Sequence, residues 1–165
     1  MIDFVAIPKA RMEKFDELKS RLEYLVKIKL KVDKLENTVQ LEGEDGLDVL
    51  KCSQVVRAFG RGFDADACLN LLDDEYKLEI ISIAEHAGKS RQRLVTLRGR
   101  LIGTGGKTKA LIENATGVKL AIYGKTVAII GRWDRIPVAS QAVGMILRGS
   151  KHNSVYKFLE EQKIR

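Results

Sequence analysis

Apolar positions change their period several times along this chain of 165 residues, and the changes come in the same order twice. Ile2–Ile7 reads as a short apolar strand. Met12, Phe15, Leu18, Leu22, Leu25 and Val26 then recur at helical spacing. Ile28-Lys29-Leu30-Lys31-Val32 and Thr38-Val39-Gln40-Leu41-Glu42-Gly43 alternate as two strands joined by a turn, and Leu47, Leu50, Val55, Val56 and Phe59 give a helix after them. The second pass starts with a predicted strand at Arg93–Leu97. Thr108, Leu111, Ile112 and Ala115 form its helical stripe, and Val118–Ile122 and Thr126–Gly131 its strand pair around Tyr123-Gly124-Lys125. Ile136, Ala139, Val143, Ile146 and Leu147 make the closing helix, with Asp134 as expected N-cap, Pro137 in the first turn and Gly149 as the stop.

The strand pairs are related by offsets of 90 and 88 residues, which is internal duplication. The expected fold is α+β: two tandem units, each strand, helix, helix, strand, strand, helix. Each would be a three-stranded sheet with helices on one face. The expected boundaries are a first unit at 1–62, a helical and strand connector at 63–90, a second unit at 91–150 and a C-terminal helix at 151–165.

The copies differ between their first two helices. The second has Gly103-Thr104-Gly105-Gly106 there, where the first, ninety residues earlier, has Glu13-Lys14-Phe15-Asp16. Gly103–Thr108 ends like a phosphate-binding P-loop, but Leu101 stands where that loop needs its first glycine. A dinucleotide fingerprint would need glycine where Thr108 stands. A G-x-x-G loop between two helices, of the kind with which KH domains clamp about four nucleotides of single-stranded backbone, fits without a missing position. Glycines let the main chain approach a sugar-phosphate, and the following helix directs free N–H groups at it. Lys107 and Lys109 add charge in the first turn, and Arg98 and Arg100 approach from the preceding helix. Leu101, Ile102, Ile112 and strand 118–122, with Lys119 on it, would supply the groove for bases. For Ile112 and Leu120, core packing is the stronger reading.

Charge supports the asymmetry. Residues 1–84 hold 13 Lys+Arg against 17 Asp+Glu, and residues 85–165 hold 16 against 5. A basic half of that kind is the footprint of a polyanion partner, with the acidic half and its absent loop expected to be structural or protein-binding. Lys151 and His152 would extend the basic surface. No carboxylate stands at triad spacing to His152 or His86, so catalysis is not expected. Cys52 and Cys68 are too isolated for a disulfide or zinc framework and read as core residues of a cytoplasmic protein. The Asp64–Glu75 carboxylates read as a solvated face with Asp64 as a helix cap, and Trp133 as core or interface. No cofactor, metal or membrane segment is expected.

Leu97–Lys109, Leu111-Ile112-Glu113, Thr116-Gly117 and Val127–Gly131 closely resemble the KH-protein family of small-ribosomal-subunit assembly known as partner of Nob, in its short archaeal form. Val56–Phe63, Leu71–Asp74 and Gly149–Glu160 agree with that family beyond KH domains at large. The resemblance implies a non-catalytic assembly factor that holds the 3′ end of small-subunit ribosomal RNA or its precursor. It also implies contacts with a PIN-domain endonuclease and with the α subunit of initiation factor two. The family's archaeal members usually carry a glycine loop in the first unit too, and this chain departs from that. Two other readings stand beside it: a protein-interaction scaffold with an idle loop, and a nucleotide-binding enzyme using Gly103–Thr108.

Overall fold

The computed structural model describes residues 1–163, and the chain divides into two units, one from Met1 to Asp74 and one starting at Glu75. The first contains β1 (Ile2–Ala6), α1 (Lys9–Met12), α2 (Asp16–Leu25), β2 (Lys29–Asp33), β3 (Thr38–Glu42) and α3 (Gly46–Gly60). It ends in α4 (Ala65–Leu69) and a 3-10 turn at Asn70–Leu72. Its sheet is antiparallel in the order β1-β3-β2. Period-two alternation places Val5, Leu30, Val39 and Leu41 in the core, while Phe4 stays exposed. Val49, Cys52, Val55, Val56 and Phe59 are the buried face of α3. Leu47 and Leu50, expected on that stripe, are instead exposed, because the helix turns a face offset from them inward. The Asp45 and Asp64 carboxylates cap α3 and α4, accepting from the Leu47 and Ala67 amides.

The second unit contains β4 (Tyr76–Ser82), α5 (Ala84–Ala87), α6 (Arg91–Ile102), a 3-10 turn at Thr104–Gly106, α7 (Lys107–Thr116), β5 (Lys119–Tyr123) and β6 (Thr126–Arg132). It closes with α8 (Ile136–Leu147) and α9 (His152–Lys163). Its antiparallel sheet has the order β4-β6-β5. Leu97, Leu101, Ile112, Leu120, Val127, Ile129, Val143 and Ile146 form the core, which Val155 and Leu159 of α9 complete. The fold class is the expected one: α+β, in two tandem units with three-stranded antiparallel sheets.

Three expectations are corrected. Arg93–Leu97 is not a strand but lies inside α6, which Ser90 starts by accepting from the Arg93 amide and which buries Leu97 and Leu101, four residues apart. The first strand of the second unit is β4, inside the expected connector 63–90, so the division falls after Asp74 rather than around 62 and 91. Asp134 does not cap α8: it pairs with Arg132 at 3.5 Å, and Arg135 occupies the cap position. Residues 164 and 165 of the expected terminal helix lie outside the described residues.

The duplication reaches individual contacts. Glu23 of α2 accepts from the Leu30 amide on β2 at 3.3 Å, and Glu113 of α7 accepts from the Leu120 amide on β5 at 2.9 Å. Lys19 stands 3.8 Å from Glu23, and Lys109 the same distance from Glu113. All these residues are related by the offset of 90. In each unit a helix carboxylate satisfies an edge-strand N–H that the sheet leaves open.

Candidate nucleic-acid interface

The end of α6 and the start of α7 are set by glycine geometry. Gly103, Gly105 and Gly106 have φ of +76°, +61° and +78°, which L side chains adopt only with strain. Gly103 is further confined by space, since a Cβ there would lie 2.3 Å from Thr108 Oγ1 and 2.7 Å from the Thr108 amide. At Gly105 and Gly106 a Cβ would meet nothing within 4 Å. The outer half of the loop is bare backbone facing open space. No side chain caps α7, so its first N–H groups have no side-chain acceptor.

The expected contact residues separate into three groups. Thr104, Gly105 and Lys107 are exposed on the loop, Lys119 is exposed on β5 and Lys151 is exposed before α9. Ile102, Gly103, Gly106 and Arg98 are half-buried beside them, and Arg98 Nε is itself buried, with no hydrogen-bond partner among the described residues. A second group is turned inward. Arg100 donates to the Ile146 and Ser150 carbonyls, so it braces the end of α8 rather than reaching outward. Leu101 and Ile112 are fully buried, and Val118 and Leu120 nearly so; they are core residues and do not line the surface expected for bases. Lys109 forms the third group: its ion pair with Glu113 is repeated in the unit without a glycine loop, and is therefore part of the fold.

A cleft of about 630 Å³ lies on the α9 side of the loop, lined by residues of α6, the loop, α7 and α9. His152 Nε2 donates to the Arg100 carbonyl at 3.0 Å, and Tyr156 and Thr108 share a hydroxyl hydrogen bond of 3.0 Å. Thr96, Gly99, Thr108 and Tyr156 were not among the contact residues expected from sequence, where Thr108 stood on the helical stripe. The one available signal was Gly99, a glycine inside a helical stretch between two arginines. Trp133 belongs to neither site nor core: it is 58% exposed, and its Nε1 donates to Glu75. In the first unit, burial pushes the Cys52 thiol up to about 11 and the Cys68 thiol to about 12, the latter despite Arg11 nearby. Both are core residues and no reactive pair. Among the described residues no helix is long and apolar enough to cross a membrane, and no cluster of three acidic, His or Cys side chains is placed to hold a metal.

Comparisons with known proteins bear on this geometry. The profile for the second KH domain of PNO1, a eukaryotic-type (type I) KH domain, matches residues 77–164. The chain is 39% identical to a KH domain-containing protein of Methanocaldococcus jannaschii over 98% of its own length and 74% of the relative's. It is 29% identical to the RNA-binding protein PNO1 of Oryzias latipes, covering 86% of this chain but 59% of that one. The chain thus spans little more than half of the eukaryotic relative's length. Among solved structures, it superposes on a chain of the a/eIF2α–aDim2p–rRNA complex of Pyrococcus horikoshii with a TM-score of 0.89 and 37% identity, covering 99% of this chain and 94% of that one. A protein of unknown function from Aeropyrum pernix gives a TM-score of 0.94 at 27% identity, covering 99% and 91%.

Proposed function

The chain belongs to the PNO1/Dim2 family of KH-domain proteins, and from that premise we propose that its second unit holds single-stranded ribosomal RNA, at the 3′ end of the small-subunit RNA or its precursor, as a non-catalytic assembly factor. The observation that carries the reading is the loop: left-handed glycines whose missing side chains leave Gly105 and Gly106 open, at the start of an uncapped ten-residue helix. Phosphates would sit at the loop tip and the start of α7, with the exposed Lys107 and the half-buried Arg98 as counter-charges. Ile102, Lys119, Lys151 and His152 flank the path. Gly103 and Gly106 shape the loop, and Thr104 and Gly105 form its tip. Arg100 and Leu101 act through the fold.

The reading is supported by the relative crystallised with rRNA and by the names of the eukaryotic relatives, which are RNA-binding and pre-rRNA-processing proteins. The α subunit of initiation factor two, present in the same complex, is the protein partner we propose. A PIN-domain endonuclease is proposed on family membership alone, as is action in the cytoplasm.

Fluorescence anisotropy with a short RNA of the small-subunit 3′ end tests the clamp, comparing wild type with Thr104→Asp/Gly105→Asp across a salt series. Aspartate tolerates a left-handed backbone better than most residues, and a Cβ at Gly105 is unobstructed, so the variant folds. It should lose roughly 10- to 100-fold in affinity, as charge-assisted contacts become repulsions, with a shallower salt slope. Unchanged binding in the folded variant would show that the loop is idle.

A further inference from the structure

The strand-helix-helix-strand-strand-helix pattern is complete at α8, and α9 is an addition that builds one wall of the cleft beside the loop. Among the described residues the cleft is lined by no carboxylate, and Arg100, Lys107, His152 and Tyr156 are its charged and aromatic groups beside the glycines of α6 and the loop. Lys107 is exposed and forms no ion pair among the described residues. The wall is held rigidly. His152 donates from Nε2 to the Arg100 carbonyl, and Tyr156 is held through its hydroxyl by the buried Thr108. The two rings stand one helical turn apart, 6.0 Å between centroids and tilted by 51°.

Gly99 is the second, independent observation. It lies in the interior of α6 with no positive φ, and a Cβ on it would meet nothing within 4 Å. Neither backbone conformation nor packing calls for glycine, and glycine weakens a helix relative to alanine. What its missing side chain does is keep the cleft open and bare the α6 backbone to whatever enters.

We propose that this cleft is a subsite for one further nucleotide of the strand clamped at the glycine loop, with its base on the His152 and Tyr156 rings and its phosphate near Lys107. The inference rests on the RNA-clamp reading. It adds that the strand runs past the loop toward α9, away from the β5 groove. Arrangement and chemistry agree: aromatic faces accept any base, the cleft shares Gly103, Thr104 and Lys107 with the clamp, and nothing in it repels a phosphate.

The test uses the full chain and three RNAs from the small-subunit 3′ end: a four-nucleotide segment, and the same segment lengthened by two nucleotides at its 5′ or its 3′ side. Wild type should gain about 5- to 30-fold from lengthening at one end, the value of a stacked base. Gly99→Gln fills the cleft from a helical position with free space, and Tyr156→Leu removes a ring. Both should bind the four-nucleotide RNA as wild type does and lose the gain. Tyr156→Phe, which keeps the ring, should retain most of it. A gain that survives in folded Gly99→Gln and Tyr156→Leu, or no gain at either end, overturns the subsite while leaving the clamp intact. If Thr104→Asp/Gly105→Asp binds the four-nucleotide RNA as well as wild type, the clamp itself has failed and the subsite falls with it.

Discussion

Phe15 and Gly105 stand ninety residues apart at the same junction in two copies of one fold, Phe15 immediately before α2 and Gly105 two residues before α7. Phe15 is fully buried, packed edge-on against Phe59 with ring centroids 5.6 Å apart. Arg11, just upstream, donates to the Phe59 and Phe63 carbonyls and lies 4.2 Å over the Phe59 ring. The first unit has turned its inter-helix junction inward and sealed it with an aromatic residue and a tethered cation. At the second junction the glycine faces open space at a φ of +61°. The strand-edge carboxylates, the helix ion pairs and the sheet order are the same in both. The shared contacts are therefore those the fold requires, and the difference between copies locates function. Glu113 and Lys109 lie on the helix that follows the glycine loop, yet Glu23 and Lys19 make the same contacts in a unit without one.

Alanine at each junction residue puts the contrast in numbers. Phe15→Ala should cost about 3–5 kcal/mol, as truncation of a fully buried Phe does. Gly105→Ala should cost only about 1–2 kcal/mol, the strain of a left-handed non-glycine residue. Urea unfolding of both variants measures the contrast. Similar losses would mean that the Phe15 junction is no tighter than the loop. A smaller effect is expected at the shared contact. Glu113→Ala and Glu23→Ala each leave an edge-strand amide without its acceptor, at about 1–2 kcal/mol. Glu113 should cost more, since its hydrogen bond is 2.9 Å against 3.3 Å. If Glu113→Ala instead leaves stability unchanged and alters RNA affinity, that carboxylate belongs to the site.

Duplication made most of the fold legible. Alternating strands with a turn of known length identify themselves, and two copies confirm each other: the first hairpin loop is four residues between Asp33 and Thr38, the second two between Tyr123 and Thr126. The error fell where the pattern is ambiguous. Arg93-Leu94-Val95-Thr96-Leu97 is a short apolar run with β-branched residues, which fits a strand or a helix segment alike, but Ser90 at the cap and Leu97 and Leu101 on one face made it a helix. The glycine loop was legible because its residues are chemically unusual. Arg100 and the α9 cleft were not, since they depend on which carbonyls a long side chain meets forty-six to fifty residues away. Composition shows that a cation is present and does not show whether it is already engaged.

The cysteines sharpen the comparison in a last, small respect. Both lie in the first unit, buried, with thiols raised from the ordinary 9.0 to about 11 and about 12. Burial penalises the thiolate, so the folded chain holds these protons where an unfolded one has released them. For groups with raised values, stability is fully present below about 9 and declines as pH rises from there toward 11–12. The second unit, with no cysteine, has no such contribution. The urea midpoint should therefore fall between pH 8 and pH 10 by more in wild type than in Cys52→Ala/Cys68→Ala, the difference cancelling the lysine titration common to both. A chromogenic disulfide at pH 8 should react with neither thiol until the chain opens. Rapid labelling of the native protein would show that the core of the first unit is open to solvent, and the contrast between a sealed copy and an open one would be lost.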